Sequence, residues 1–115
     1  MTKKIITIIV SLFITVFCFA QTQMEMNQQA YKDYLKADAE MTNIYKKVQK
    51  KLITPKEQKL LLDAQRAWIK FKEVQCKSAA ESYDGGSVQP IIYSGCLQKL
   101  SEEKTKHLNE YLENN

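Results

Sequence analysis

The sequence CKSAAESYDGGSVQPIIYSGC, from Cys76 to Cys96, indicates most clearly how the helices of this chain are arranged. Its adjacent glycines, Gly85 and Gly86, interrupt a chain whose pattern is otherwise helical, and paired glycines mark a loop. Pro90 follows shortly afterwards, and proline is favoured in the first turn of a helix. The stretch therefore predicts two antiparallel helices joined by a short loop, with the two cysteines facing each other close to the turn.

The helix that precedes this loop has a clear start. Thr54 can cap it, Pro55 suits the first helical position and Glu57 completes a capping box. These residues predict a helix that runs to about Ser82. Its predicted inward stripe follows helical spacing and consists of Leu60 or Leu61, Ala64, Ala67, Trp68, Phe71, Val74 or Gln75, and Ala79.

Two further helices complete the predicted fold. The first begins near Gln23, because Thr22 and Glu25 have capping-box spacing, and the last begins at Pro90. Apolar residues recur at helical spacing in both helices. In the first helix they are Tyr31, Tyr34, Leu35, Met41, Ile44, Tyr45, Val48 and Leu52. In the last helix they are Cys96, Leu97, Leu100, Leu108, Tyr111 and Leu112. The predicted fold class is all-α, a small antiparallel three-helix bundle with one disulfide.

The first twenty residues differ in kind from the rest of the chain. Lys3 and Lys4 precede an apolar run that ends at Ala20. A positive start, an apolar middle and a small final residue are the pattern of a secretory signal peptide. We predict a signal peptide over residues 1–20, cleaved to leave a mature helical domain of residues 21–115.

Two other interpretations of this segment stay open. A retained membrane anchor would need about 20 apolar residues, whereas the run from Ile5 to Ala20 has 16. A lipoprotein signal would acylate Cys18, but Val16 and Phe17 before it are bulky. With cleavage, the prediction is an exported protein, periplasmic or secreted, with no membrane association.

The mature domain would carry little net charge. The full chain has a net charge of +4, and loss of Lys3 and Lys4 leaves 15 basic and 13 acidic residues, hence +2. A net charge of +2 is lower than nucleic-acid binding usually needs, so no nucleic-acid partner is predicted.

Cleavage would also leave two cysteines, Cys76 and Cys96. An even number in an exported chain predicts a disulfide, and closing a loop of about 20 residues stabilises a fold by about 3 kcal/mol. Two free thiols are the alternative.

Several blocks of this sequence resemble the LprI-type lysozyme inhibitor domain family. They are residues 22–27, Ala37-Asp38-Ala39-Glu40-Met41-Thr42 with Tyr45, Ala64-Gln65-Arg66-Ala67-Trp68-Ile69-Lys70-Phe71 followed by Cys76, and then Gly85-Gly86-Ser87, Pro90 and Cys96-Leu97. The resemblance implies a small, helical, exported, disulfide-bonded domain that inhibits lysozyme. The family often has a cysteine at the position of Gln29, paired with another cysteine just upstream. This chain lacks that second disulfide, so the start of its first helix is expected to be less firmly held.

Groups suited to catalysis are scarce. The single histidine, His107, has Glu103 on the same helix face, but a metal site needs three or four ligands. The carboxylate pairs Asp33 with Asp38 and Glu102 with Glu103 have no predicted cleft between them. The chain lacks a phosphate-binding loop, Gly-x-Ser-x-Gly and Cys-x-x-Cys. We predict no enzyme activity, no catalytic residue, no metal and no cofactor; a small hydrolase is a weaker third possibility.

The first candidate binding group is Arg66 with Trp68. Arg66 is the only arginine in the chain, and its guanidinium suits bidentate pairing with an acidic residue of a target. In the alternative interpretation Arg66 joins two helices by pairing with Asp33, Asp38 or Glu40, and Trp68 fills the core.

The second candidate group is the loop with Tyr83, Gly85, Gly86 and Ser87. Its glycines allow close approach of a partner and its hydroxyls can bind. An ordinary interhelical turn is the alternative. Two functions follow: an exported protein that inhibits lysozyme by occluding its cleft, or a structural module of the cell envelope that binds another exported protein or the cell wall.

Overall fold

The computed structural model describes residues 2–114, without the side chains of residues 16, 17 and 19–21. Three helices, with short connections, account for this part of the chain, so the all-α prediction is confirmed. They are α1 (Thr2–Lys51), α2 (Pro55–Glu81) and α3 (Gln89–Asn114).

The predicted start of the first helix is wrong. α1 is one continuous helix of 50 residues, and Thr22 lies inside it rather than at its N-terminus. The Thr22 hydroxyl donates a hydrogen bond of 3.0 Å to the carbonyl of Cys18, as a threonine within a helix does. Because the run before Thr22 contains no glycine or proline, nothing ends the helix there.

The molecule is elongated, which corrects the prediction of a small three-helix bundle. Its principal extents are 82 × 23 × 18 Å. α1 has 50 residues against 27 in α2 and 26 in α3, so its first part has no helix of matching length beside it. The described apolar side chains there, such as Ile5, Leu12 and Phe13, are exposed. No helix among the described residues is long and apolar enough to cross a membrane.

The second part of α1 packs with α2 and α3. Gln23 Nε2 donates to the carbonyl of Ser87 at 3.0 Å near the start of α3, and Lys51 Nζ donates to the carbonyl of Leu112 at 2.7 Å near its end. α1 and α3 therefore run in the same direction. α2 runs opposite to both, since it follows α1 after a connection of three residues.

The hydrophobic core lies where the three helices meet. Met41 and Val48 of α1 pack with Leu61 of α2 and Leu108 of α3. Half-buried apolar side chains surround this cluster: Ile44, Tyr45, Leu52, Trp68 and Leu112.

The predicted start and end of α2 are confirmed. Thr54 has extended backbone, and its Oγ1 accepts a hydrogen bond of 3.1 Å from the backbone N–H of Glu57. Pro55 occupies the first helical position and Ser82 follows the last helical residue. α3 begins at Gln89, one residue before the predicted Pro90.

The predicted disulfide is present. Cys76 and Cys96 are bonded, with their Cα atoms 5.5 Å apart, and Cys76 is fully buried. The bond fixes α2 to α3 close to the loop that joins them.

The predicted inward stripe of α2 is largely wrong. Phe71 and Val74 are 53% and 54% exposed. The buried side chains are instead Leu61, Gln65, Lys72, Cys76 and Ala80. The disulfide explains why α2 is rotated about its axis relative to the prediction. Cys76 must face α3, and the other four buried residues lie on the same line at helical spacing. Two stripes of α2 have helical periodicity, and periodicity alone does not choose between them.

Candidate binding surface

Lys72 anchors a buried polar cluster between α1 and α2. The side chain is only 4% exposed, and its Nζ lies 3.1 Å from the hydroxyl of Tyr34 and 3.4 Å from Oδ1 of Asp38. The same ammonium sits 5.1 Å from the ring centroid of Tyr34 and 4.8 Å from that of Trp68. Lys72 is thus the helix-bridging cation; the alternative that gave Arg66 this role is wrong.

Trp68 belongs partly to the core. It is half-buried against the central cluster, and Lys104 of α3 lies 5.8 Å from its ring centroid. Partial burial removes water from Lys104 and lowers the pKa of its ammonium below the usual value. Only the outer part of Trp68 is therefore available to a partner.

Arg66 points away from this cluster. It is exposed and makes no ion pair with any residue that the structure describes. Lys70 and Lys77 lie on the same side of α2, four and eleven residues further on. Both are exposed, so this side presents three cations to solvent, with the exposed Glu73 between Lys70 and Lys77.

The loop between α2 and α3 is folded tightly. The backbone N–H of Gly86 donates to the carbonyl of Tyr83 at 2.9 Å, and Gly85 has φ of 75°, a conformation that favours glycine. A Cβ on Gly86 would meet that same carbonyl oxygen at 3.0 Å. Tyr83 and Ser87 are exposed, and the contact from Gln23 to Ser87 holds the loop against α1.

Arg66 and the loop do not form one site. Arg66 lies 15 residues before Glu81, the last residue of α2, which places it about 22 Å from the loop end of that helix. The structure brings Tyr83, Gly85, Gly86 and Ser87 together and keeps them apart from Arg66 and Trp68.

The apolar row of α2 that the sequence predicts to face inward is exposed in the structure and forms a surface. It consists of Leu60, Ala64, Ala67, Phe71 and Val74. At the α1–α2 corner the row meets two adjoining grooves of about 270 and 230 Å³, lined by Val48, Lys51, Leu52, Ile53, Glu57, Leu60, Leu61, Ala64 and Tyr111. The signal was present in the sequence, since the cysteine on the other stripe indicates which side faces α3.

The other candidate groups do not converge. His107 is exposed, and its Nδ1 lies 3.7 Å from Glu110. No group of three potential metal ligands occurs in residues 2–114. Gln29, at the position where the family often has a cysteine, is exposed and donates to Asp33 at 2.9 Å. A shallow groove of about 330 Å³ next to the disulfide is lined by Lys77, Ala80, Glu81, Gln89, Pro90 and Tyr93.

These features define a small helical domain, held by a disulfide, that offers exposed faces to a partner. Residues 19–108 match the family described as lysozyme inhibitor LprI, and the chain belongs to this family. An uncharacterized protein of Rhizobium meliloti (strain 1021) is 37% identical over 106 residues, which cover 82% of this chain and 76% of that protein. No solved structure gives a significant match. The family resemblance is thus confirmed, and the family is named for an inhibitor rather than an enzyme.

Proposed function

We propose that this protein is an exported inhibitor that blocks a lysozyme by occluding its substrate cleft. The observation that carries the proposal is membership of the LprI family over residues 19–108. Since the family is described by inhibition, we propose no enzyme activity for the chain itself.

Export is the second part of the proposal. Residues 1–20 would serve as the signal peptide, and residues 21–115 would be the working domain in the periplasm or outside the cell. The described apolar side chains of the first part of α1 are exposed, as expected of a segment that contributes nothing to the core. The disulfide also suits an oxidising compartment outside the cytoplasm.

The proposed contact residues lie at two places. Arg66 and the outer part of Trp68 form one, and the loop with Tyr83, Gly85, Gly86 and Ser87 forms the other. Glycoside hydrolysis requires two carboxyl groups on either side of the scissile bond. A guanidinium such as that of Arg66 could pair with one of them and so block the reaction.

An interaction module of the cell envelope is the alternative. The exposed apolar row of α2 is the observation that favours it, because such a row suits an exported protein partner of any kind. This function requires no effect on lysozyme.

A cell-wall lysis assay distinguishes the two functions. Oxidised protein, purified after export, is titrated into lysozymes of the animal c, g and i types, with thermal unfolding recorded on the same samples. Dose-dependent inhibition of at least one lysozyme supports the inhibitor. Absence of inhibition by folded, disulfide-bonded protein would favour the envelope module, and its partner would then be sought by affinity capture from envelope extracts.

A further inference from the structure

The two long faces of α2 do not divide into an apolar inner face and a polar outer face. The face that packs against α1 and α3 contains the polar side chains of Gln65 and Lys72 beside the apolar Leu61, Cys76 and Ala80. The face toward solvent carries Leu60, Phe71 and Val74, which are 59%, 53% and 54% exposed. Large apolar side chains grouped on an exposed face mark a binding surface more often than isolated ones do.

The apolar row is long and narrow. Leu60, Ala64, Ala67, Phe71 and Val74 follow one another at steps of four and three, so they share one side of the helix over about 21 Å. Because Ala64 and Ala67 have small side chains, the middle of the row protrudes less than its two ends. Leu60 and Ala64 also line a groove at the α1–α2 corner, and the neighbouring groove contains Ile53, which is 90% exposed.

A row of positive charge runs beside the apolar row. Arg66, Lys70 and Lys77 have no ion pair among the described residues, whereas Lys59 is paired with Asp63 at 3.1 Å. Glu73 lies within this row between Lys70 and Lys77, and Asp63 and Glu81 lie at its two ends. The outer face of α2 therefore combines an apolar strip with three unpaired cations.

Antiparallel α2 helices from two copies of this chain would not complement each other on this face. A two-fold interface pairs a patch with the same patch, so antiparallel α2 helices would bring the cation rows together. A row about 21 Å long and about one helix diameter wide also offers far less than the roughly 800 Å² per partner of a standard interface. The face suits an acidic groove that surrounds the helix on both sides.

We infer that the outer face of α2 enters the substrate cleft of the lysozyme. A glycosidase cleft supplies two carboxyl groups, which complement Arg66 and Lys70. Its apolar and aromatic lining complements Phe71 and its neighbours, and its concave shape accepts a convex helix. This inference rests on the proposed function and assigns the principal contact to α2 rather than to the Tyr83–Ser87 loop.

The test measures the inhibition constant of purified, oxidised protein against an animal c-type lysozyme. The variants are Phe71→Ala and the double substitution Arg66→Glu with Lys70→Glu. Matched controls are Tyr31→Ala, an exposed aromatic of α1, and Lys99→Glu with Lys106→Glu on exposed positions of α3. Circular dichroism and thermal unfolding of each variant establish that the fold is intact.

Each α2 variant should inhibit at least tenfold more weakly than the wild type, and each control should stay within about twofold, because central aromatic and arginine contacts dominate binding. If the wild type inhibits and the α2 variants inhibit equally well, the inference and the proposed Arg66 contact are overturned, while occlusion of the cleft by this protein stands. Loss of inhibition in Tyr83→Ala alone would move the contact to the loop. If the wild type inhibits no lysozyme, the proposed function fails and the inference with it. A dimer that Phe71→Ala dissociates would make a second copy the occupant instead.

Discussion

Gln65 and Lys72 are buried to a similar degree on the same side of α2, yet their surroundings differ. Lys72 has the hydroxyl of Tyr34, the carboxylate of Asp38 and two aromatic rings around its ammonium. Gln65 donates to the sulfur of Met41 at 3.0 Å, and its Oε1 meets no donor among the described residues. A buried polar group stabilises a fold only when it is paired, so these two residues should respond in opposite ways to apolar substitution.

Lys72→Ala should lower the free energy of unfolding by about 2–3 kcal/mol. The substitution removes the packed side-chain stem, two polar contacts and the attraction of the ammonium to Tyr34 and Trp68. Urea unfolding measures the loss, and Lys72→Met, which keeps the stem, should lose about 1 kcal/mol. The exposed Lys70→Ala is the control and should stay within about 0.5 kcal/mol. A Lys72→Ala protein as stable as this control would contradict a bridging role.

Gln65→Leu should leave stability unchanged or raise it by about 1 kcal/mol. The apolar side chain of similar size removes the cost of burying an amide oxygen without a donor. Urea unfolding measures the change in the free energy of unfolding, with Gln75→Leu on the exposed side of α2 as the control. A loss of more than about 1 kcal/mol would show that the Gln65 amide is fully paired in solution.

At the scale of elements, the ends of α2 could be predicted from sequence and its orientation could not. Thr54 and Pro55 start the helix by local chemistry that requires no tertiary contact, and the Gly85-Gly86 loop ends the helical region in the same way. Orientation is a tertiary property: two stripes fit the helical period, and the bond from Cys76 to α3 selects the more polar one. The exposed position of Phe71 follows from that choice.

Thr54→Ala should destabilise the domain by about 1 kcal/mol. Its hydroxyl accepts the N–H of Glu57, which otherwise has no partner in the first turn of α2. Thermal or urea unfolding measures the effect. Thr54→Ser preserves the hydroxyl and should behave like the wild type, so equal losses in the two variants would exclude capping as the cause.

At the scale of the whole molecule, the sequence predicted helical content and the disulfide but not the elongated shape. The capping pair Thr22 and Glu25 has the right spacing, yet the residues before it also favour a helix, and α1 continues through them. The candidate contact residues were predicted by chemical type. The distance between Arg66 and the Tyr83–Ser87 loop depends on the length of α2. The exposure of the apolar row depends on how α2 is rotated about its own axis.

The Cys76–Cys96 bond should contribute about 3 kcal/mol to stability. It closes a loop of 20 residues and so restricts the unfolded chain. The double substitution Cys76→Ser with Cys96→Ser should lower Tm by roughly 12–24 °C for a domain of this size. Reductant should have the same effect on the wild type and none on the double variant. An unchanged Tm in the double variant would mean that packing alone holds α2 to α3.

Cleft occlusion is tested by the steady-state kinetics of a lysozyme on a soluble oligosaccharide, with and without this protein. Occlusion of the cleft predicts that the apparent KM rises with the concentration of inhibitor while kcat stays constant. An N-acetylglucosamine oligomer that fills the cleft should compete with binding of the protein. Unchanged kinetics with every lysozyme class, at concentrations where the protein is folded and its disulfide intact, would show that the protein does not occlude the cleft.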